Sequence, residues 1–452
     1  MRVTALALCV VLLAALSTAT LRSAPPRVTV VTNSDANAIG ASQTAAPNNV
    51  FAQQTGPFFT DFGTIGRHGC EECHVQSLGW SVTAAAVAQL PVNSTFFLFD
   101  GSDCLPPGVN PTSTSDLTEN RNFGNTRTEL GIPQGADFTL GSASDPLRCG
   151  TPLAASNLRM YRRPLPVANA AFFANVMWDG REEVTPTIFG DLKHQANTAE
   201  RIHAQATSDI SDADQASIAS FQTNLFAAQV KIGNLKLDAR GGNGGAVFLM
   251  TTVAPAFVIG MNDPFQAGFN PAVFNIYRSW EPGQKPPDTQ AATIGRGERL
   301  FNTKSFSITS VPGLNGPNDQ PSTPITGVCG SCHNTPNVGS HSRSRFLDIG
   351  VTSLTPPGNL AVTHLPAYWF VETTTGHQIG VTDPGRGLVT GRFSDIGKTK
   401  IPGLRNLAAR PPYFHNGSAP DLPTVVDYHD LRFRIGLSPQ EKADLVAFLQ
   451  AL

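Results

Sequence analysis

The sequence predicts two repeated modules in which capped helices alternate with long irregular loops, and three observations carry that prediction. The pentapeptide Cys-x-x-Cys-His occurs twice, as Cys70-Glu71-Glu72-Cys73-His74 and as Cys329-Gly330-Ser331-Cys332-His333. A capped amphipathic pattern follows each box at a distance, over residues 211–230 and again from Ser438 to Leu452, as in an internal repeat. The chain also holds 41 glycines and 35 prolines, more irregular chain than a purely helical protein needs, with a Pro-Gly-rich break at residues 281–288 between the repeats.

The boxes define the chemistry. Two cysteines separated by two residues form one tight turn that aims both sulfurs at one edge of a haem, and the adjacent histidine can then swing under the iron. A Cys-x-x-Cys can also be half a zinc site or a redox dithiol, but no other cysteine lies within thirty residues of either box. Two covalently bound haem c groups are therefore expected, attached through Cys70, Cys73, Cys329 and Cys332, with His74 and His333 as iron ligands.

At the N-terminus, Arg2 precedes an apolar run over residues 5–16 and the small residues Ser17-Thr18-Ala19. This reads as a signal peptide, residues 1–19, cut near Ala19 and too short to span a membrane; it predicts a periplasmic or secreted protein without a membrane span. Cys9 leaves with it. Of the six remaining cysteines four serve the haems, and Cys104 and Cys149 are expected to form a disulfide in a compartment that permits one, the alternative being two buried thiols. Residues 20–56 are polar and read as a tether. The net charge of −2, without a basic run, offers nothing to nucleic acid.

The chain after the first box reads as loop for about a hundred residues, on turn signals at Pro106-Pro107-Gly108, residues 112–118 and 141–145. A helix is expected over 211–230, opened by Ser211-Asp212-Ala213-Asp214 and carrying Ile218, Phe221, Leu225 and Phe226 at helical spacing. Module two is expected to begin with a helix over 291–301 and to end with one capped by Ser438-Pro439-Gln440-Glu441.

The paired boxes, Asn169 ahead of Trp178-Asp179-Gly180-Arg181, and Leu404-Arg405-Asn406 followed by Pro412-Tyr413-Phe414-His415-Asn416-Gly417 resemble the bacterial dihaem cytochrome c peroxidases and their MauG-type relatives. The resemblance implies a mainly α fold of two cytochrome c-like haem domains with long irregular loops, a peroxidatic one at 57–284 and an electron-transfer one at 289–452. It implies hydrogen peroxide as substrate at the first haem, a small donor protein (cytochrome c or a cupredoxin) serving the second, and Trp178 as the residue between them. Counting twelve residues on from Gly417 gives His429 as the second ligand of the second iron, with Tyr428 the alternative; His415 reads as structural.

The departures from that family are informative. No histidine occurs between His74 and His194, so the loop histidine that caps the first iron in many peroxidases has no counterpart. Gln195-Ala196 matches a Gln-Ala pair after the tryptophan, but the family's catalytic Glu ten residues on falls on Gln205. A primary amide cannot shuttle a proton, so His203, or less favourably Glu200, becomes the expected substitute near the distal pocket. The family's calcium ligand, an Asn six residues before Asn169, falls on Arg163, so bound calcium is doubtful. A peroxidase is the leading expectation; a pure electron-transfer cytochrome and an oxygenase resembling the dihaem rubber oxygenases are the alternatives.

Overall fold

The computed structural model describes residues 29–48, 55–66, 69–98, 103–149, 152–316, 319 and 321–452. The expected signal peptide lies outside them. Five longer helices organise the described chain: α1 (Ile188–Ile202), α2 (Asp212–Thr223), α3 (Thr289–Thr303), α4 (Leu422–Phe433) and α5 (Pro439–Gln450). Each opens on a side-chain cap that satisfies an end N–H, from Thr187, Ser211, Asp288, Asp421 and Ser438 respectively. Ser438 and Glu441 form the reciprocal capping box that their spacing predicts.

Helix is about 30% of the protein and strand 17%, so the expected mainly α architecture is corrected to a mixed one. The strands replace segments read as loop or helix. Residues 30–47, within the expected tether, form an antiparallel hairpin whose second strand, Gly40–Pro47, pairs with Phe226–Ile232 in a four-stranded sheet. The helix expected over 211–230 stops at Thr223, and Phe226, Ala227, Ala228 and Gln229 are buried in that sheet. A strand covered on both faces shows no alternation, which is why its apolar run blends into the helical pattern before it.

The expected hundred-residue loop is likewise folded. Thr126–Leu130 pairs with Leu158–Arg162, and Phe138–Ser144 pairs with Ala367–Glu372 from the other half of the chain. Leu158–Arg162 is buried throughout, including two arginines, so its strand character is masked by charge; Arg159 meets Asp145 at 2.9 Å. Cys104 and Cys149 are disulfide-bonded in this region, with Cα atoms 5.2 Å apart.

In the second half α3 packs on α5, with Ile294, Phe301, Leu445 and Phe448 in one core. Their crossing is close because Gly297 carries no side chain: a Cβ there would stand 2.0 Å from the Asp444 carbonyl oxygen. Val273, Phe274, Tyr277 and Trp280 belong to the same core. The exposed stretch at 281–288 is thus a surface turn, and the packing of the second module begins upstream of it.

Candidate functional site

The first box is a single 3-10 turn, Cys70–Glu72, in which the N–H groups of Cys73 and His74 both donate to the Cys70 carbonyl at 3.2 and 3.0 Å. That turn presents Cys70, Cys73 and His74 to one cleft. The His74 Nδ1–H faces the Trp80 carbonyl at 3.2 Å, which makes Nε2 the lone-pair nitrogen suited to a metal. The cleft is also lined by one side of α1 and the residue that ends it, with Gln195, Ala196, Ala199, Glu200 and His203 at helical spacing. Glu200 is 5% exposed and its Oε1 lies 3.8 Å from Cys70 Sγ.

The second box repeats the turn. His333 N–H donates to the Cys329 carbonyl at 3.1 Å, and His333 Nδ1–H donates to the Gly339 carbonyl at 2.6 Å. His429, on α4, donates Nδ1–H to the Val425 carbonyl one turn back at 2.8 Å. Both imidazoles line one apolar cleft with Cys329 and Cys332. Burial lowers the basicity of both histidines, His333 to about 4, so each is neutral and able to coordinate. Burial also pushes the Cys329 and Cys332 thiols up to about 12, unlike the thiolates of a redox dithiol. The Tyr428 hydroxyl donates instead to the Ile349 carbonyl at 2.8 Å and does not line the cleft.

Trp178 lines both clefts, as do Arg163, Pro164 and Pro166. Its indole N–H donates to the Arg163 carbonyl at 2.7 Å, and its ring meets that of His415 edge-on, centroids 6.2 Å apart. Beside it is a buried ion network: Arg162 reaches Asp179 at 2.6 Å and Asp383 at 2.7 Å, and Arg181 reaches Asp179 at 3.0 Å. Burial alone would raise the Asp179 carboxyl, but Arg181 and Arg162 outweigh it and hold it well below the usual carboxylate range. Asp383 is held low by Arg162 against the same burial, and His415 Nε2 stands 3.6 Å from it.

The second cleft fits a haem c on more than its box. Lys400 and Arg410 line the second cleft, and Arg405 lies in an adjoining pocket. Lys400 and Arg405 are buried and Arg410 is half-buried, and among the described residues none of the three forms an ion pair. Burial brings Lys400 down to about 7 and Arg405 and Arg410 to about 10. Arg405 Nε and Nη1 and Arg410 Nε have no hydrogen-bond partner among the described residues. Buried cations that lack counter-charges suit a cofactor that carries carboxylates, and haem brings propionates.

The structure brings Trp178, Gln195 and His203 together at the first cleft but not Gln205. That residue follows the end of α1, is exposed with φ +58°, and turns its amide back to the Ile202 carbonyl. The displacement moves attention to Glu200, five residues on from Gln195 and on the cleft side of α1. Lys400 and Arg410 are functional candidates that sequence reading missed; no local motif marks a cation whose counter-ion is a cofactor.

No family model matches the chain. It is 31% identical over 144 residues to cytochrome-c peroxidase IdrP1 of Pseudomonas sp. (strain SCT), a match covering 27% of this chain and 36% of that protein. The protein of the same name from Denitromonas iodatirespirans is 33% identical over 188 residues, covering 38% of this chain and 43% of the relative. Cytochrome c peroxidase Ccp of Escherichia coli (strain K12) is 44% identical over 77 residues, 17% of this chain and 16% of that one. The matched stretches thus span less than half the length of these relatives. Among solved structures, a MauG-like protein associated with microbial copper homeostasis aligns with a TM-score of 0.39 and 17% identity over 88% of this chain and 86% of that one.

Proposed function

We propose, for a chain similar in part to cytochrome c peroxidases, that it is an exported dihaem c-type cytochrome that reduces hydrogen peroxide at the first cleft with electrons entering at the second. The observation that carries this reading is the asymmetry of two clefts sharing Trp178: the second offers two imidazoles, His333 and His429, whereas the first offers His74 and a helix face of proton-handling groups. The overall step is H2O2 + 2H⁺ + 2e⁻ → 2H2O, the electrons coming from a small donor protein such as a cytochrome c or cupredoxin.

When bound, the first haem supplies the iron at which the O–O bond is cleaved and the second a redox centre for electron entry. His74 Nε2 would hold the metal, the ring oriented by its Nδ1–H on the Trp80 carbonyl. Heterolysis needs a group that removes the proton from one peroxide oxygen and returns it to the other, a task worth about 10²- to 10⁴-fold in rate. Glu200 and His203, three residues apart on the cleft side of the chain, are the candidates, and Gln195 is placed to orient the substrate through its amide. Trp178, 8% exposed, lines both clefts and offers them a shared π-system.

The test is peroxide consumption by the holoprotein with a reduced cytochrome c as donor, for wild type, Glu200→Gln and His203→Ala. Turnover in the wild type with a loss of at least tenfold in one variant is the expected result. A wild type that consumes no peroxide and, when reduced, binds no carbon monoxide would be an electron carrier. Oxygen uptake with a polyisoprene-like alkene in place of peroxide turnover would make it an oxygenase.

A further inference from the structure

We infer that Arg163 is a cation built into the chain, holding the junction between the two modules where a bound divalent metal would otherwise sit. Its guanidinium is buried in a cage of backbone carbonyls. Nη2 donates toward the oxygens of Val82 at 2.7 Å, Arg410 at 3.1 Å and Pro411 at 3.5 Å, and Nη1 toward that of Gly124 at 3.2 Å. A terminal guanidinium nitrogen carries two hydrogens, yet three oxygens converge on this one. The shell is that of a compact cation held by carbonyl dipoles rather than of a fork pairing with a carboxylate.

The carbonyls come from three separate stretches of chain: Val82 shortly after the first box, Gly124 some forty residues further on, and the turn before Tyr413 in the second half. Gly124 makes the docking possible, because a Cβ at that position would lie 2.0 Å from Nη1. The resemblance drawn from the sequence places a calcium ion at this junction, and the residues present do not fit one. A hard divalent ion takes roughly six to eight oxygen ligands, whereas here a nitrogen already fills the centre of the cage. Arg410, near enough to lower the basicity of Arg163 after burial has done so, adds positive charge that would repel a metal. Among the described residues no group of His, Cys, Asp or Glu side chains offers an alternative metal centre. This inference stands on the cage geometry and holds whichever reaction the clefts perform.

The experiment is thermal unfolding of the holoprotein by circular dichroism, with chelator or with added calcium, alongside elemental analysis. The wild type is expected to contain iron without stoichiometric calcium and to melt at one temperature under both treatments. Arg163→Asn, which removes the charge and leaves a side-chain oxygen, is expected to melt lower and to regain stability with calcium but not with sodium at matched ionic strength. Stoichiometric calcium in the wild type with destabilisation on chelation overturns the inference. So does an Arg163→Asn protein that melts like the wild type, or one that melts lower and stays there when calcium is added. Where that variant does not accumulate, the wild-type chelation and elemental measurements decide.

Discussion

His429 shows how one residue can be fixed by its neighbours before any metal arrives. Its Nδ1–H is committed to the Val425 carbonyl within the same helix, so the imidazole presents Nε2 to the second cleft. His429→Ala is expected to convert a low-spin haem signal to high-spin in half of the bound iron, read by electron paramagnetic resonance of the oxidised holoprotein. A spectrum unchanged from wild type would remove His429 from the ligand set. The boxes stand out in the sequence by their spacing, and the count from Gly417 reaches His429, which lines one cleft with Cys329, Cys332 and His333. Distal residues do not stand out in this way, because their position depends on where α1 ends. A count of ten from Gln195 lands on Gln205, past that end, and burial rather than spacing singles out Glu200.

At the level of elements, local capping was readable and partnership was not. Ser211 and Ser438 announce α2 and α5 through side chains that act within four residues. By contrast, Phe226–Ile232 is a strand because Gly40–Pro47 lies beside it, and nothing near it in the sequence states that. The same distance effect governs the contact of α3 with α5. Gly297→Ala forces a methyl against the Asp444 backbone, so the helices must move apart, at a cost of about 1–3 kcal/mol. Denaturant unfolding should show a midpoint shift of that size with the slope unchanged. Alanine at Arg299, on the same helix, serves as the comparison for propensity.

Over the whole molecule, the two halves are joined by ionic and strand contacts, and the first half is braced by a disulfide of its own. Cys104 and Cys149 close a loop with a sequence separation of 45, and removing that bond is expected to cost about 3–4 kcal/mol on the chain-entropy model. Mass spectrometry of the unreduced protein should find neither thiol open to alkylation, and the Cys104→Ser/Cys149→Ser double variant should melt lower. The Arg162 bridge between Asp179 and Asp383 links residues of both halves in a buried site. Asp383→Ala should cost about 3 kcal/mol, since it leaves the guanidinium short of one counter-charge. Both carboxyls titrate below their unfolded values, so their stabilisation is present above a pH of about 4 and is lost as pH falls through the lower folded values. Melting temperature against pH should therefore hold through mild acidity and fall only below it, less steeply in the Asp383 variant.

The pairing of Phe138–Ser144 with Ala367–Glu372 has a consequence for how such a chain can change over evolutionary time. Ala367–Glu372 pairs with Gln378–Val381 on one side and with Phe138–Ser144 of the other half on its second side, so the halves are not interchangeable beads on a string. A gene fusion that replaced one half with an unrelated cytochrome would expose an unpaired sheet edge on the survivor. The strands at 138–144 and 367–372 must therefore change together, and a protease that cuts the exposed 281–288 turn should leave two fragments that still travel as one particle.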